Sequence, residues 1–190
     1  MNVELVSMTP DPLKVIETCG RVCHKSESKD PEAFIKKLIK MGHHSVLEHA
    51  SATFMISGVS RALTHQLVRH RLMSISQESQ RYVNQEDQSY TVPPAVEDTN
   101  DYKADMNTAF NLYSKWRKIL PKQEDARMFL PNACHSKIAI TANFREYRHI
   151  LDLRMSPHAQ WEIRDCVTWI GQILMECAPC VFEDIWDKYQ

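Results

Sequence analysis

Arg69-His70-Arg71-Leu72-Met73-Ser74-Ile75-Ser76-Gln77-Glu78-Ser79-Gln80-Arg81-Tyr82 is the densest polar stretch of the chain. It packs three arginines, a histidine, three serines, two glutamines and a glutamate into fourteen residues. Arginine offers a fixed fork of donors that fits phosphate or carboxylate. Serine hydroxyls and glutamine amides complete a polar lining. The stretch therefore reads as a pocket wall for a phosphorylated, hydrogen-bonding ligand. Net charge is only −1, which argues against a general nucleic-acid binder. Anion recognition must be local.

Outward from this stretch, apolar periodicity sets the fold class. Towards the N-terminus, Ser60 caps a helix expected from Arg61 to about His70, with Gln66, Arg69 and His70 at its C-terminal end. Residues 50–58 alternate and read as a strand. Before them, Gly42-His43-His44-Ser45-Val46-Leu47-Glu48-His49 gathers histidines and a glutamate. It lacks HExxH or paired CxxC spacing, so a turn leading into a strand is at least as good a reading as a metal site. Asp30-Pro31 and Asp11-Pro12 each start a helix. The first carries Phe34, Leu38 and Met41 on one face and stops at Gly42. The second runs to about Lys25 with Leu13, Ile16, Cys19 and Cys23 at helical spacing. Residues 2–8 suggest an opening strand.

Towards the C-terminus, residues 73–83 favour an extended segment, largely polar on both faces. Residues 84–100 read as a loop or lid. A long helix follows from Thr99 or Asn100 to about Leu120, with Met106, Phe110, Tyr113 and Ile119 as candidate core. A short helix spans 122–130, a strand 134–144, and helices 145–154 and 158–177, with a final amphipathic segment at 181–189. In the helix 145–154, Arg145, Arg148 and Arg154 read as polar. Strands and helices do not alternate as βαβ units, so the expected class is α+β, a mostly antiparallel sheet packed with helices, in one domain over 1–190.

Several chemistries are excluded or disfavoured. Four glycines in 190 residues leave no GxGxxG and no GxxxxGK[ST]. Any flavin or nicotinamide would sit on something other than a Rossmann unit. GxSxG is absent, so a chance grouping of His70, Ser79 and Glu48 does not make a hydrolase. Cys177-Ala178-Pro179-Cys180 ends an apolar helix instead of starting one, which is a structural placement for thiols. No run of 18 apolar residues exists, so no membrane span is expected. MNVELVSM lacks the basic and long apolar regions of a secretion signal. The six cysteines then read as reduced thiols in a cytoplasmic protein.

RHR at 69–71, then seven residues, then Ser79-Gln80-Arg81-Tyr82 resembles the signature of the flavin-dependent thymidylate synthases. Gly42-His43 with Ser45 and Glu48-His49 looks like that family's GHxxxxEH segment. Gln66, Ala126-Arg127 before Leu130-Pro131, Asn143 with Arg145, and Leu153-Arg154 with His158-Ala159-Gln160-Trp161-Glu162 follow in the family's order. The resemblance implies reductive methylation of dUMP to dTMP without a cysteine nucleophile. Methylenetetrahydrofolate would supply the carbon and NADPH-reduced FAD the hydride. It also implies the family's α+β fold and a homotetramer with active sites at subunit interfaces, with no nucleic acid or membrane as partner.

By the same resemblance, dUMP would meet Gln66, Arg69, Gln77, Glu78, Ser79, Gln80, Arg81, Arg127 and Arg154. Arg154, against the uracil edge, would be catalytic by stabilising charge at N3/O4. FAD would meet Ser45, Glu48, Arg69, His70, Arg71, Gln77, Asn143, Arg145, His149 and His158. Ser76-Gln77 replaces the usual Asn-Glu, His149 stands where many members have Asn, and Ser45 replaces a common Thr. The change at Gln77 leaves open the same fold acting on a different pyrimidine nucleotide. A binding module using the same arginines without flavin is the reading from another class.

Overall fold

The computed structural model describes residues 1–23, 30–86, 89–96 and 99–189. It is α+β. Strands β1 (Asn2–Met8), β2 (Ser51–Ser60), β3 (Met73–Gln77) and β4 (His135–Asn143) form one antiparallel sheet in the order β1-β2-β4-β3. Phe144 N–H donates to Ala50 C=O at one end of the β2–β4 pair, and Arg61 N–H to Cys134 C=O at the other. Alternation explains the buried face: Ala52, Phe54 and Ile56 on β2 and Ile138, Ile140 and Ala142 on β4 are all buried. The helices are α1 (Pro12–Cys23), α2 (Pro31–Lys40), α3 (Arg61–Leu67), α4 (Thr99–Ile119), α5 (Phe144–Arg154), α6 (Trp161–Cys177) and α7 (Pro179–Trp186). Short 3-10 helices lie at His44–His49, Gln123–Phe129 and Asp187–Tyr189.

The chain divides into two compact units. One comprises residues 1–2, 56–68 and 76–138; it holds α3, α4 and the 3-10 helix Gln123–Phe129. Its α4 buries Phe110 and Tyr113, and Trp116 stacks on Phe129 with centroids 5.6 Å apart. The other comprises 3–55, 69–75 and 139–190 and holds α1, α2, α5, α6 and α7. There Ile163, Val167, Ile170 and Leu174 line the buried side of α6 at helical spacing, as their sequence pattern predicts.

Local chemistry explains most element ends. Ser60 Oγ accepts from Leu63 N–H at 3.0 Å and starts α3. Asp30 accepts from Ala33 N–H at 3.1 Å and starts α2, with Pro31 at the first helical position. Gly42 stops the chain after α2 with φ 76°, a conformation that suits glycine. Gln160 caps α6, so that helix begins at Trp161, three residues later than the expected 158. Residues 24–29, where the end expected for α1 falls, lie outside the described residues, as do 87, 88, 97 and 98 of the expected 84–100 loop.

Four expectations are corrected. Helix α3 ends at Leu67, not His70, and the chain leaves it so that His70 is buried, 5 % exposed. The extended run ends at Gln77, not at 83. Ser79 takes over the backbone: its Oγ accepts from Arg81 N–H at 3.2 Å and its C=O from Tyr82 and Val83 N–H, which makes a turn. Cys23, Met41 and Ile119 lie exposed, because the faces they share with core residues run past the packed part of each helix. Arg148 is buried, because its guanidinium has a bidentate partner in Asp184 of α7.

Of the four glycines, Gly171 on α6 has the closest neighbours. A Cβ there would stand 2.9 Å from Leu151 Cδ2 and 3.1 Å from the Trp186 ring. Alanine gains about 1 kcal/mol of helix propensity, and the overpacking costs roughly 1–3 kcal/mol. Gly171→Ala is expected to lower the urea midpoint with an unchanged m-value.

Candidate functional site

One open cleft of about 1330 Å³ lies within the unit that holds α5, α6 and α7. Three stretches build most of it: His44 and Glu48 from the 3-10 helix, Arg69-His70-Arg71-Leu72 between α3 and β3, and the face of α5 with its cap Asn143. On α5, Arg145, Arg148 or His149, and Asp152 recur at helical spacing and so line one side. Asp184, Ile185 and Lys188 complete the lining. Six cationic side chains face four acidic ones, so the cleft favours an anion.

The ion pairs decide which cations remain for a ligand. Arg148 donates to both oxygens of Asp184, at 2.6 and 2.7 Å, and to the Val181 carbonyl. That bond to Arg148 holds the Asp184 carboxyl below its usual range. Lys188 meets Asp152 at 2.7 Å. Arg145 meets Glu48 at 2.6 Å, an exposed pair that a stronger anion can displace. Among the described residues, Arg69 and Arg71 make no ion pair with an acid.

His70 sits between these groups. Burial, then the neighbouring Arg154 and His149, pull its pKa down to about 4. At neutral pH the imidazole is therefore uncharged, and its Nε2 accepts from Arg154 Nε–H at 3.0 Å. Its Nδ1 faces Glu146 at 3.9 Å, which with a neutral ring is not an ion pair. The His149 ring lies edge-on to it, centroids 5.7 Å apart.

Comparison with known proteins shows where this arrangement belongs. A sequence model of the family described as thymidylate synthase complementing protein matches residues 4–180. A flavin-dependent thymidylate synthase of Geobacter sulfurreducens is 38% identical over 200 residues, covering 97% of this chain and 86% of that protein. Proteins of the same name from Pyrococcus abyssi, 38% identical over 89% of this chain and 76% of theirs, and Mycobacterium tuberculosis, 37% over 90% and 78%, are also similar.

The chain belongs to the flavin-dependent thymidylate synthase family.

Of the residues that family resemblance assigns to flavin, the cleft gathers Glu48, Arg69, His70, Arg71, Asn143, Arg145 and His149, together with Arg154. Ser45 lies beside it, on a smaller cleft with Cys23, His43 and Arg145. His158 is exposed in the turn after α5 and Gln77 belongs to the other unit, so neither lines it. His44, Glu146, Arg148, Asp152, Asp184 and Lys188 also line the cleft, and none of them is among the residues the resemblance assigns to a ligand. For Glu146 a signal existed: Asn143 caps α5 and Glu146 stands three residues on, where a cap pairs with an acid.

The residues assigned to the nucleotide lie mostly in the other unit. Gln66 is half-buried on α3; Ser79, Gln80 and Arg81 form the turn after β3; Arg127 stands exposed on its 3-10 helix. Arg81 pairs with Glu124 at 3.2 Å. Glu78 Oε1 accepts from Gln85 Nε2 at 3.2 Å, and the Glu78 carbonyl from Arg61 at 3.3 Å.

Gln77, the departure from the family's glutamate, is tied down. Its Nε2 donates to Thr64 Oγ1 at 2.7 Å and to Ser136 Oγ at 3.1 Å. Thr64 spends its own proton on the Arg61 carbonyl at 3.0 Å, so its oxygen must accept. Both amide hydrogens of Gln77 are thus used, which leaves Oε1 as an acceptor. The glutamine presents what a carboxylate would, without its charge.

Gln77→Glu would set a carboxylate oxygen against the committed Thr64 hydroxyl. A loss of roughly 1–3 kcal/mol in urea denaturation is expected. His70 predicts a pH dependence. Its folded pKa, about 4, lies below the ordinary 6.5, so the unfolded chain binds the proton first. Its contribution to stability is intact above about pH 6.5 and lost as pH falls towards about 4. Denaturation midpoints across that window should fall less steeply in His70→Gln than in the parent.

Proposed function

We propose that this chain carries out the reductive methylation of dUMP to dTMP, as one domain over residues 1–190 with the flavin-dependent thymidylate synthase fold. The observation that carries the reading is the cleft. It brings Arg69 and Arg71, cations without an acid partner among the described residues, together with His70, Asn143, Arg145, His149 and Arg154.

FAD fits this donor set. Its diphosphate needs forked cationic donors, which Arg69, Arg71 and Arg145 offer in place of a glycine-rich backbone. The cleft also exceeds the roughly 300–1,000 Å³ of ordinary small-ligand pockets. When bound and reduced by NADPH, FAD supplies the hydride, and methylenetetrahydrofolate the carbon.

Arg154 is the catalytic residue of this reading. Burial pulls its pKa down from the usual arginine value, yet the guanidinium stays charged at neutral pH. A fixed cation beside the uracil edge stabilises negative charge at N3/O4 while C5 becomes nucleophilic. Neutral His70 holds that cation by Nε without competing for its charge. Two of the thiols are poorly suited as nucleophiles: burial pushes Cys134 and Cys180 up to about 11, so both stay protonated. The pinned amide of Gln77 supports dUMP over another pyrimidine nucleotide, since the acceptor of the usual glutamate is kept. A homotetramer with active sites at subunit interfaces is part of the proposal. A cytoplasmic setting belongs to the same proposal; among the described residues no helix is long and apolar enough to cross a membrane.

The purified protein is expected to be yellow and to release tritium from 5-tritiated dUMP, but not from other pyrimidine nucleotides, given methylenetetrahydrofolate and NADPH. A colourless protein that takes up no FAD would overturn the reading. Arg154→Lys keeps the charge but loses the planar fork. It should lower kcat by about 10²–10³ and leave flavin absorbance intact.

A further inference from the structure

One buried acid of the cleft has no part in that chemistry. Glu146 is 6 % exposed and lines the cleft. Its backbone N–H is satisfied by Asn143 Oδ1 at 2.9 Å. Its carboxyl oxygen faces His70 Nδ1 at 3.9 Å, while the other nitrogen of that ring accepts from Arg154 at 3.0 Å.

A neutral imidazole donates through one nitrogen and accepts through the other. The Arg154 bond requires a bare Nε2. The proton must then sit on Nδ1, the nitrogen that faces Glu146. Without that oxygen the Nδ1–H would face only the open cleft, and the opposite tautomer would gain population. In that tautomer Nε2–H opposes Arg154 Nε–H, donor against donor. We infer that Glu146 is a positioning residue: through the Nδ1–H of His70 it selects the tautomer that holds the Arg154 guanidinium.

The 3.9 Å separation exceeds a hydrogen bond, so in this state the acid acts on the N–H as a dipole at short range. Contacts of this kind tighten when a site is filled. Burial raises the Glu146 pKa, and the arrangement tolerates that, since a carboxyl oxygen accepts in either protonation state. That Arg154 needs positioning rests on the function proposed above; the tautomer itself does not.

Glu146 also stands near the N-terminus of α5, where any acid favours the helix. That role alone would move stability and nothing else. The test is therefore ¹⁵N NMR of histidine-labelled full-length protein, with His70→Gln assigning the signal, beside steady-state tritium release. Wild type should show His70 protonated on Nδ1 and bare on Nε2 from roughly pH 6 to 8. Glu146→Gln, whose amide oxygen still accepts, should keep that pattern. Glu146→Met should show mixed tautomers and about tenfold lower kcat, with KM for dUMP nearly unchanged. Where the methionine variant does not fold, Glu146→Ser, too short to reach Nδ1, replaces it with the same expectation. Wild-type His70 protonated on Nε2 overturns the inference. So does a Met or Ser variant with wild-type tautomer and kcat, whatever its melting temperature. Failure of the wild type to release tritium would overturn the proposed function instead, and the spectra would still decide the tautomer.

Discussion

Arg154 can donate its Nε–H to His70 only while Nε2 carries no proton, and the cleft is arranged around keeping it so. Burial raises the cost of a second positive charge, and the neighbouring Arg154 and His149 raise it further. A protonated ring would repel Arg154 and remove the acceptor of its Nε–H. The same ring is fixed in the chain by its place just past α3, where the backbone turns to bury it. An apolar residue at 70 would pack there but leave the half-buried Arg154 guanidinium without this acceptor. Histidine is the residue that accepts a hydrogen bond at neutral pH while its other nitrogen serves a different neighbour.

Much of the fold was legible because period and punctuation agree. Ala52, Phe54 and Ile56 alternate, Ile163, Val167, Ile170 and Leu174 recur every three or four positions, and Ser60 and Asp30-Pro31 announce their helices. What was not legible turned on partners distant in sequence. Arg148 is polar by type yet buried, because Asp184 meets it from 36 positions away. The Arg145–Glu48 pair spans 97 positions. Residues 69–82 read as one polar wall, whereas residues 69–75 and 76–82 belong to different compact units. No local pattern marks that division. The turn at 79–83 was missed for a nearer cause: a serine side chain outcompeted the ladder for Arg81 N–H.

Composition spoke to chemistry in an indirect way. The four glycines are all taken by the fold: Gly42 and Gly58 by backbone with positive φ, Gly20 and Gly171 by the close approach of neighbouring side chains. None is left to cradle a phosphate with bare backbone. In the proposed reading anion recognition falls to side chains: Arg69 and Arg71 have no acid partner among the described residues, and Arg145 has one that is easily displaced. Buried cations such as Arg148 belong to the architecture instead, since losing Asp184 would strand their charge.

The cleft draws its walls from residues 44–48, 69–72, 143–154 and 184–188. Whatever fills it ties together segments that lie far apart along the chain, and does so only in the folded state. Occupancy is thus coupled to folding by mass action, in addition to any chemistry. A ligand at a hundredfold excess over its Kd adds about 2.7 kcal/mol, a large share of the roughly 5–15 kcal/mol by which a domain of this kind holds together. The empty and the filled protein are, in thermodynamic terms, two proteins of unequal robustness. Depletion of the ligand would be felt first as shorter survival of the chain itself.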